Sequence, residues 1–181
     1  MPHQPFLPGL IAPASPLNAT HQFDDLLRYP DVGSHLLCEH AKTLGHASEL
    51  LTDSIFARLG IPSASFPEHS QFDRLIWIGA ACLRVQIKGR HRMTAGGYHF
   101  DINRGYQRGP TGTRAYSRDD FDILALVGLP DNVVKFTAEW SRTHVIAAGE
   151  IARLRASPGA SLQQALTDLG LSAVSAAPTA S

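Results

Sequence analysis

Neither sign of charge prevails in this sequence: 16 Lys and Arg residues stand against 16 Asp and Glu, and the formal net charge is zero. Whole-molecule charge therefore points to no class of partner. Cysteine is nearly absent. Cys38 and Cys82 are the full complement, too few for a disulfide framework and in keeping with a reducing compartment. No stretch approaches the roughly 20 apolar residues needed to span a bilayer. The N-terminus lacks the basic region followed by an apolar run that marks a signal peptide. A cytoplasmic protein without membrane contact is expected. P-loop, dinucleotide-glycine and Gly-x-Ser-x-Gly patterns are missing too, as are internal repeats. His35, Cys38, His40 and His46 cluster in sequence, but without a Cys-x2-Cys pair or a partner pair elsewhere they argue poorly for structural zinc.

What is present is a chain of 181 residues, 44% of them hydrophobic, enough for one domain with a real core. Pro2, Pro5, Pro8, Pro13 and Pro16 make residues 1–30 an arm, because proline fixes φ and removes donors. Helices are expected over 34–42 and, more clearly, over 46–59, where Leu50, Leu51, Ile55, Phe56 and Leu59 form one stripe closed by Gly60 and Pro62. Residues 63–71 read as loop. Period-2 alternation predicts strands over 72–78, 83–88 and 98–104, with an apolar strand at 121–127 and its return at 133–136. Residues 144–155 have helical spacing through Val145, Ala148, Ile151 and Leu154. A last helix covers 162–169, opened by Ser161, and 172–181 reads as a disordered tail. The organisation expected is a core over 31–136 followed by a C-terminal helical extension over 137–171.

The chemistry concentrates in FDRLIWIGAACLRVQIKGRHR, residues 72–92. Two strands joined at Gly79 place Asp73 beside Gln86 and the Ile87 carbonyl, with Lys88 on the same face as Gln86. Hydrolysis of a phosphodiester needs a cation to neutralise the phosphate and acidify a water. Magnesium prefers oxygen ligands of this kind. Lys88 would then reach the water or the phosphate. Around this stretch lies a basic block: from Arg84 to Arg118 there are eight Lys and Arg residues against one acid, Asp101. Arg90, Arg92, Arg104, Arg108, Arg114 and Arg118, with Tyr98, Tyr106 and Tyr116 between them, suit contact with a phosphate backbone. Asp101, Asp119, Asp120 and Asp122 are further acids near the block, and Asp122, in an otherwise apolar run, has the best claim to complete a metal site.

Glu49 on a helix, then Asp73, then Gln86-Ile87-Lys88 and a following strand form an ordered succession that resembles the PD-(D/E)XK nuclease superfamily. LRVQIKG, GGYHFDINRGYQRG and AYSRDDFDILALVGLPDNVVKF look like a branch near bacterial intron-encoded homing endonucleases. The likeness spans roughly residues 45–136. Two departures stand out: Phe72 replaces the motif's proline, and Gln86 replaces its acid, leaving the site one negative charge poorer.

The resemblance implies a restriction-endonuclease-like α/β/α sandwich with a mixed central sheet and extra C-terminal helices. It implies a DNA endonuclease dependent on Mg2+, with Mn2+ able to substitute. Asp73, Gln86 and the Ile87 carbonyl would hold the metal, Glu49 would join through water, and Lys88 would position or activate the attacking water. Cutting both strands of a duplex needs two sites, hence a homodimer or higher homo-oligomer. The competing readings are a nuclease-fold protein without catalysis that binds nucleic acid or serves assembly, and a defence or viral nuclease acting on branched DNA or RNA.

Overall fold

The computed structural model describes residues 26–67, 70–94, 96–105 and 112–171, so most of the proline-rich arm, Tyr106, Arg108 and the tail lie outside the described residues. Two compact units divide the chain at Glu39 and His40. The described part of the first holds a tight turn, in which the Tyr29 amide donates to the Leu26 carbonyl at 2.9 Å, and helix α1, Ser34–Glu39.

The second unit opens with α2, Ala41–Arg58, several residues earlier than its leucine stripe predicts. Its end is a glycine cap. Gly60 takes φ +70°, and the Gly60 and Ile61 amides donate back to the Ala57 and Phe56 carbonyls, which satisfies carbonyls a helix otherwise leaves open.

The strands are β1 (Ser63–Ser65), β2 (Arg74–Ile78), β3 (Ala81–Arg90), β4 (Gly97–Asp101), β5 (Asn103–Gly105), β6 (Thr113–Ala115), β7 (Ile123–Gly128), β8 (Val133–Thr137) and β9 (Thr143–Ala147). Helices α3 (Ile151–Ala156) and α4 (Ala160–Asp168) follow. Five strands form one sheet in the order β1-β2-β3-β7-β8. Only the β3–β7 pair is parallel; its neighbours are antiparallel. This mixed sheet with packed helices is an α/β architecture.

Every residue of β7 is buried, as befits a central strand covered on both faces. Its odd residues Ile123, Ala125 and Val127 alternate with Leu124 and Leu126, which join Tyr98, Phe100, Ile102, Val133, Ile146, Ile151 and Leu154 in one cluster. Helix α2 covers the other face, where Phe56 meets Phe136 with ring centroids 5.4 Å apart. Full burial of an aromatic side chain of this size contributes about 1.5–3 kcal/mol.

Three expectations need correction. Residues 143–147 are strand β9, paired with β4 from Gly97↔Ala147 to Asp101↔Thr143; a 3-10 turn covers Ala148–Glu150, and α-helix begins only at Ile151. The segment 137–171 is thus part strand and builds the core cluster through Ile146, Ile151 and Leu154. Residues 63–65 form an edge strand on β2 where loop was expected. Ser161 does not cap α4: that place falls to Gly159, and the Ser161 hydroxyl instead accepts the Phe136 amide at 3.1 Å.

Candidate active site

The β2–β3 hairpin turns at Gly79, whose φ of +58° suits a two-residue turn between Ile78 and Ala81. Its register pairs Arg74 with Val85, which leaves Asp73, one residue before, beside Gln86. One Asp73 oxygen, Oδ2, accepts the Ile87 amide at 2.7 Å and the Gln86 amide nitrogen at 2.6 Å. Gln86 is 5% exposed and also donates to the Ile87 carbonyl at 3.2 Å. Helix α2 reaches this place because Gly89 has no side chain: a Cβ there would run into the Ser48 hydroxyl.

Glu49, Asp73, Gln86, Ile87 and Lys88 line one cavity of about 630 Å³, together with Ser48, Asn103, Arg104, Arg114 and Tyr116. Its two sides differ in charge. Glu49 and Asp73 lie toward α2 and the hairpin. Lys88 and the β5–β6 ribbon bring the cations, and that ribbon's register sets Arg104 directly opposite Arg114. Two like charges across an antiparallel pair repel, an arrangement that an anion relieves.

Burial raises the Asp73 carboxyl above its ordinary range, opposed by the Ile87 amide and by Lys88. Burial likewise pulls the Lys88 ammonium down, opposed by Asp73. Each partly offsets the other's loss of solvation. The Lys88 ammonium donates to the Asn103 carbonyl and to the Tyr116 hydroxyl, both at 3.0 Å. Burial pushes the Tyr116 phenol upward, with Asp73 adding to it, so it keeps its proton.

Glu49 is held by a residue that motif reasoning passed over. Arg74, 5% exposed, bonds both Asp53 oxygens at 2.9 Å and Glu49 at 3.1 Å. Glu49 and Asp53 are one helical turn apart. Two acids at that spacing facing a strand are a signal for a buried cation, and it was there to be read.

The basic block divides. Arg104 and Arg114 line the cavity, whereas Arg90 is tied to the His99 carbonyl at 2.6 Å and to Asp101 at 3.3 Å. Arg90 and Arg92 are not among the lining residues, and Arg108 lies outside the described residues. Tyr98 belongs to the core, its hydroxyl donating to Asp131 at 2.7 Å, and so does not join the arginines. Asp122 does not complete the site. Its two oxygens accept from the Arg84 amide and guanidinium at 2.7, 3.0 and 2.8 Å, which holds its carboxyl below the ordinary range against the effect of burial.

Among the described residues no three His, Cys, Asp or Glu side chains converge as metal ligands. The donors at the cavity are two carboxylates with amide and carbonyl oxygen. They fit a hard cation in one specific respect. The Gln86 NH2 group, an electropositive group, bridges the Asp73 carboxylate and the Ile87 carbonyl. Turning that amide over would put three oxygens around one point, a donor set that suits a hard cation.

No known family profile matches the sequence, and no curated protein matches it. Among solved structures the chain is similar to the bacterial homing endonuclease I-Ssp6803I, with 14% identity and a TM-score of 0.51, over 59% of this chain and 77% of that one. At such identity the likeness is one of fold. No described helix is long and apolar enough to cross a membrane.

Proposed function

We propose that this protein is a nuclease of the PD-(D/E)XK type that hydrolyses phosphodiester bonds in DNA. The observation that carries the reading is the meeting of Glu49, Asp73, Gln86, Ile87 and Lys88 around one cavity, in the chain order that the superfamily resemblance requires. The nuclease-like fold supports it.

Asp73, the Gln86 side-chain oxygen and the Ile87 carbonyl would hold Mg2+, or Mn2+ in its place, with Glu49 joining through water. Bound there, the metal supplies charge neutralisation at the phosphate and a more acidic water. The protein's own groups do the rest. Arg104 and Arg114 seat the backbone phosphates, and Arg92 extends the basic surface along the DNA. Lys88, its ammonium fixed between the Asn103 carbonyl and the Tyr116 hydroxyl, orients the attacking water in line and stabilises charge growing on the phosphate. Arg74 keeps Glu49 turned toward β2 and limits negative charge at the site. Double-strand cleavage requires a second copy of the chain.

Nicking of supercoiled plasmid tests this. Cleavage is expected with Mg2+ or Mn2+, none in chelator, and a loss of at least ~100-fold for Asp73→Ala and Lys88→Ala. Undiminished cutting by either variant refutes the assignment. The Gln86–Asp73 hydrogen bond favours one second reading, a protein that keeps the fold and binds DNA without cutting it, because Gln86 already satisfies Asp73. DNA binding with no nicking in either metal would establish that reading instead.

A further inference from the structure

Tyr116 stands where two of the three cations of the cavity wall, Lys88 and Arg104, meet. Its hydroxyl oxygen accepts the Lys88 ammonium at 3.0 Å, and the same ammonium lies 4.8 Å from the ring centroid. The Arg104 guanidinium lies 6.0 Å from that centroid. The negative face of an aromatic ring attracts such cations. The ring is itself anchored: Phe121 meets it edge-on at 5.4 Å and 77°, and Trp140 backs Phe121 at 5.4 Å. One side chain on a rigid aromatic stack thus touches both a catalytic candidate and a phosphate-binding candidate. Neither the Asp73-Gln86-Lys88 pattern nor the fold likeness assigns it any part.

Resting on the nuclease reading above, we propose that Tyr116 is the positioning residue of the cavity's cationic wall, its oxygen fixing Lys88 and its ring fixing Arg104 before the DNA phosphate arrives. The two roles separate by substitution. Tyr116→Phe keeps the ring and its packing on Phe121 and deletes only the hydrogen bond to Lys88. Tyr116→Leu deletes both.

The experiment measures nicking kinetics on supercoiled plasmid in Mg2+ and binding of a fluorescent duplex in Ca2+, for full-length wild type and both variants. For Tyr116→Phe, kcat is expected to fall about 10- to 100-fold, the worth of a hydrogen bond to a charged group, with KM and duplex affinity within about twofold. For Tyr116→Leu, kcat falls as far and duplex affinity weakens about 3- to 10-fold as well. A kcat for Tyr116→Phe within twofold of wild type overturns the proposal, as does an equal loss of affinity in both variants.

A second readout needs no cleavage. The chain has three lysines, Lys42, Lys88 and Lys135, so protein labelled with 13C at the lysine ε-carbon gives three signals. The Lys88 signal is expected to be restrained in wild type and to gain mobility in Tyr116→Phe. A Lys88 signal equally mobile in both refutes the holding role. If wild type does not nick DNA but Lys88 loosens in Tyr116→Phe, the nuclease reading fails while the positioning contact stands.

Discussion

Gln86→Glu would restore the acid of the superfamily motif, and the geometry makes its effect on the metal-free protein calculable. The Gln86 amide nitrogen lies 2.6 Å from Asp73 Oδ2, so the substitution brings a second carboxylate oxygen against the first. Two unit charges about 3 Å apart repel by roughly 5 kcal/mol at an effective dielectric of about 20. Loss of the donated hydrogen bond adds about 1.5–3 kcal/mol. A pair this close avoids full repulsion by sharing one proton, which brings the expected destabilisation to about 2–4 kcal/mol at pH 8. The sign in pH follows from that proton. A carboxyl whose folded pKa is raised above its unfolded value of about 4.3 keeps its stability below that value and loses it as pH rises through the folded pKa. Urea unfolding should therefore show Gln86→Glu near wild type at pH 4.5 and clearly weaker at pH 8. Magnesium should reverse the loss, since two carboxylates gain a cation between them. At 100 times its dissociation constant a ligand adds about 2.7 kcal/mol, and wild type, with one carboxylate and an amide, should gain less at the same concentration. An equal deficit at both pH values, or no greater response to magnesium than in wild type, would refute the reasoning.

Two more outcomes follow from groups beside and away from the cavity. Arg74→Met leaves Glu49 and Asp53 facing each other without the guanidinium, and should cost about 2–4 kcal/mol in urea unfolding, with Asp53→Asn in the same chain recovering part of it; a cost under ~0.5 kcal/mol would show that Arg74 is not the strut it resembles. His144 is held below its usual pKa, chiefly by burial, so the unfolded chain takes up its proton first as pH falls. The stability it contributes is full above about pH 6.5 and is lost as pH drops from there through the folded value. His144→Gln should flatten the decline in melting temperature between pH 7 and 5, and an unchanged slope would contradict the assignment.

Local pattern made much of this architecture legible. The alternation of β3 follows from the period that one buried face imposes, and the apolar run of β7 from burial on both faces. The leucine stripe of α2 was legible only in part: Ile55 and Phe56 are buried, but Leu50 and Leu59 are exposed, and the buried face runs on through Leu44, Ser48 and Thr52. Where sequence reading failed, two structures satisfied the same residues. Val145, Ala148, Ile151 and Leu154 have helical spacing, yet the chain is strand through Ala147. Ile146 is fully buried and Val145 is 40% exposed, the reverse of what the helical stripe required. The pairing with β4, 48 positions away at Tyr98↔Ile146, decides it, and no local period reports a partner that distant. Edge strand β1 was illegible for another reason. Ser63, Ala64 and Ser65 bury little, and only backbone pairing with β2 makes them a strand.

At the cavity the division is between residues named by a motif and residues defined by what they touch. Asp73, Gln86 and Lys88 are adjacent through hairpin register, which sequence spacing encodes directly. Tyr116 and Asn103 come to Lys88 from separate strands and loops, and Arg74 comes to Glu49 across the helix–sheet interface; no short spacing relates them. Asp122 shows the converse error. An acid in an apolar run demands a partner, but the demand does not say which. Arg84, on the neighbouring strand β3, meets it with a bidentate grip, so the carboxylate is spent on holding β3 to the start of β7. The same test separates the arginines. Those with a carboxylate in reach, among them Arg74, Arg84 and Arg90, brace the fold. Arg104 and Arg114 face one another across a ribbon at the cavity. For an arginine in this protein, a carboxylate partner, more than the local density of positive charge, separates bracing from binding phosphate.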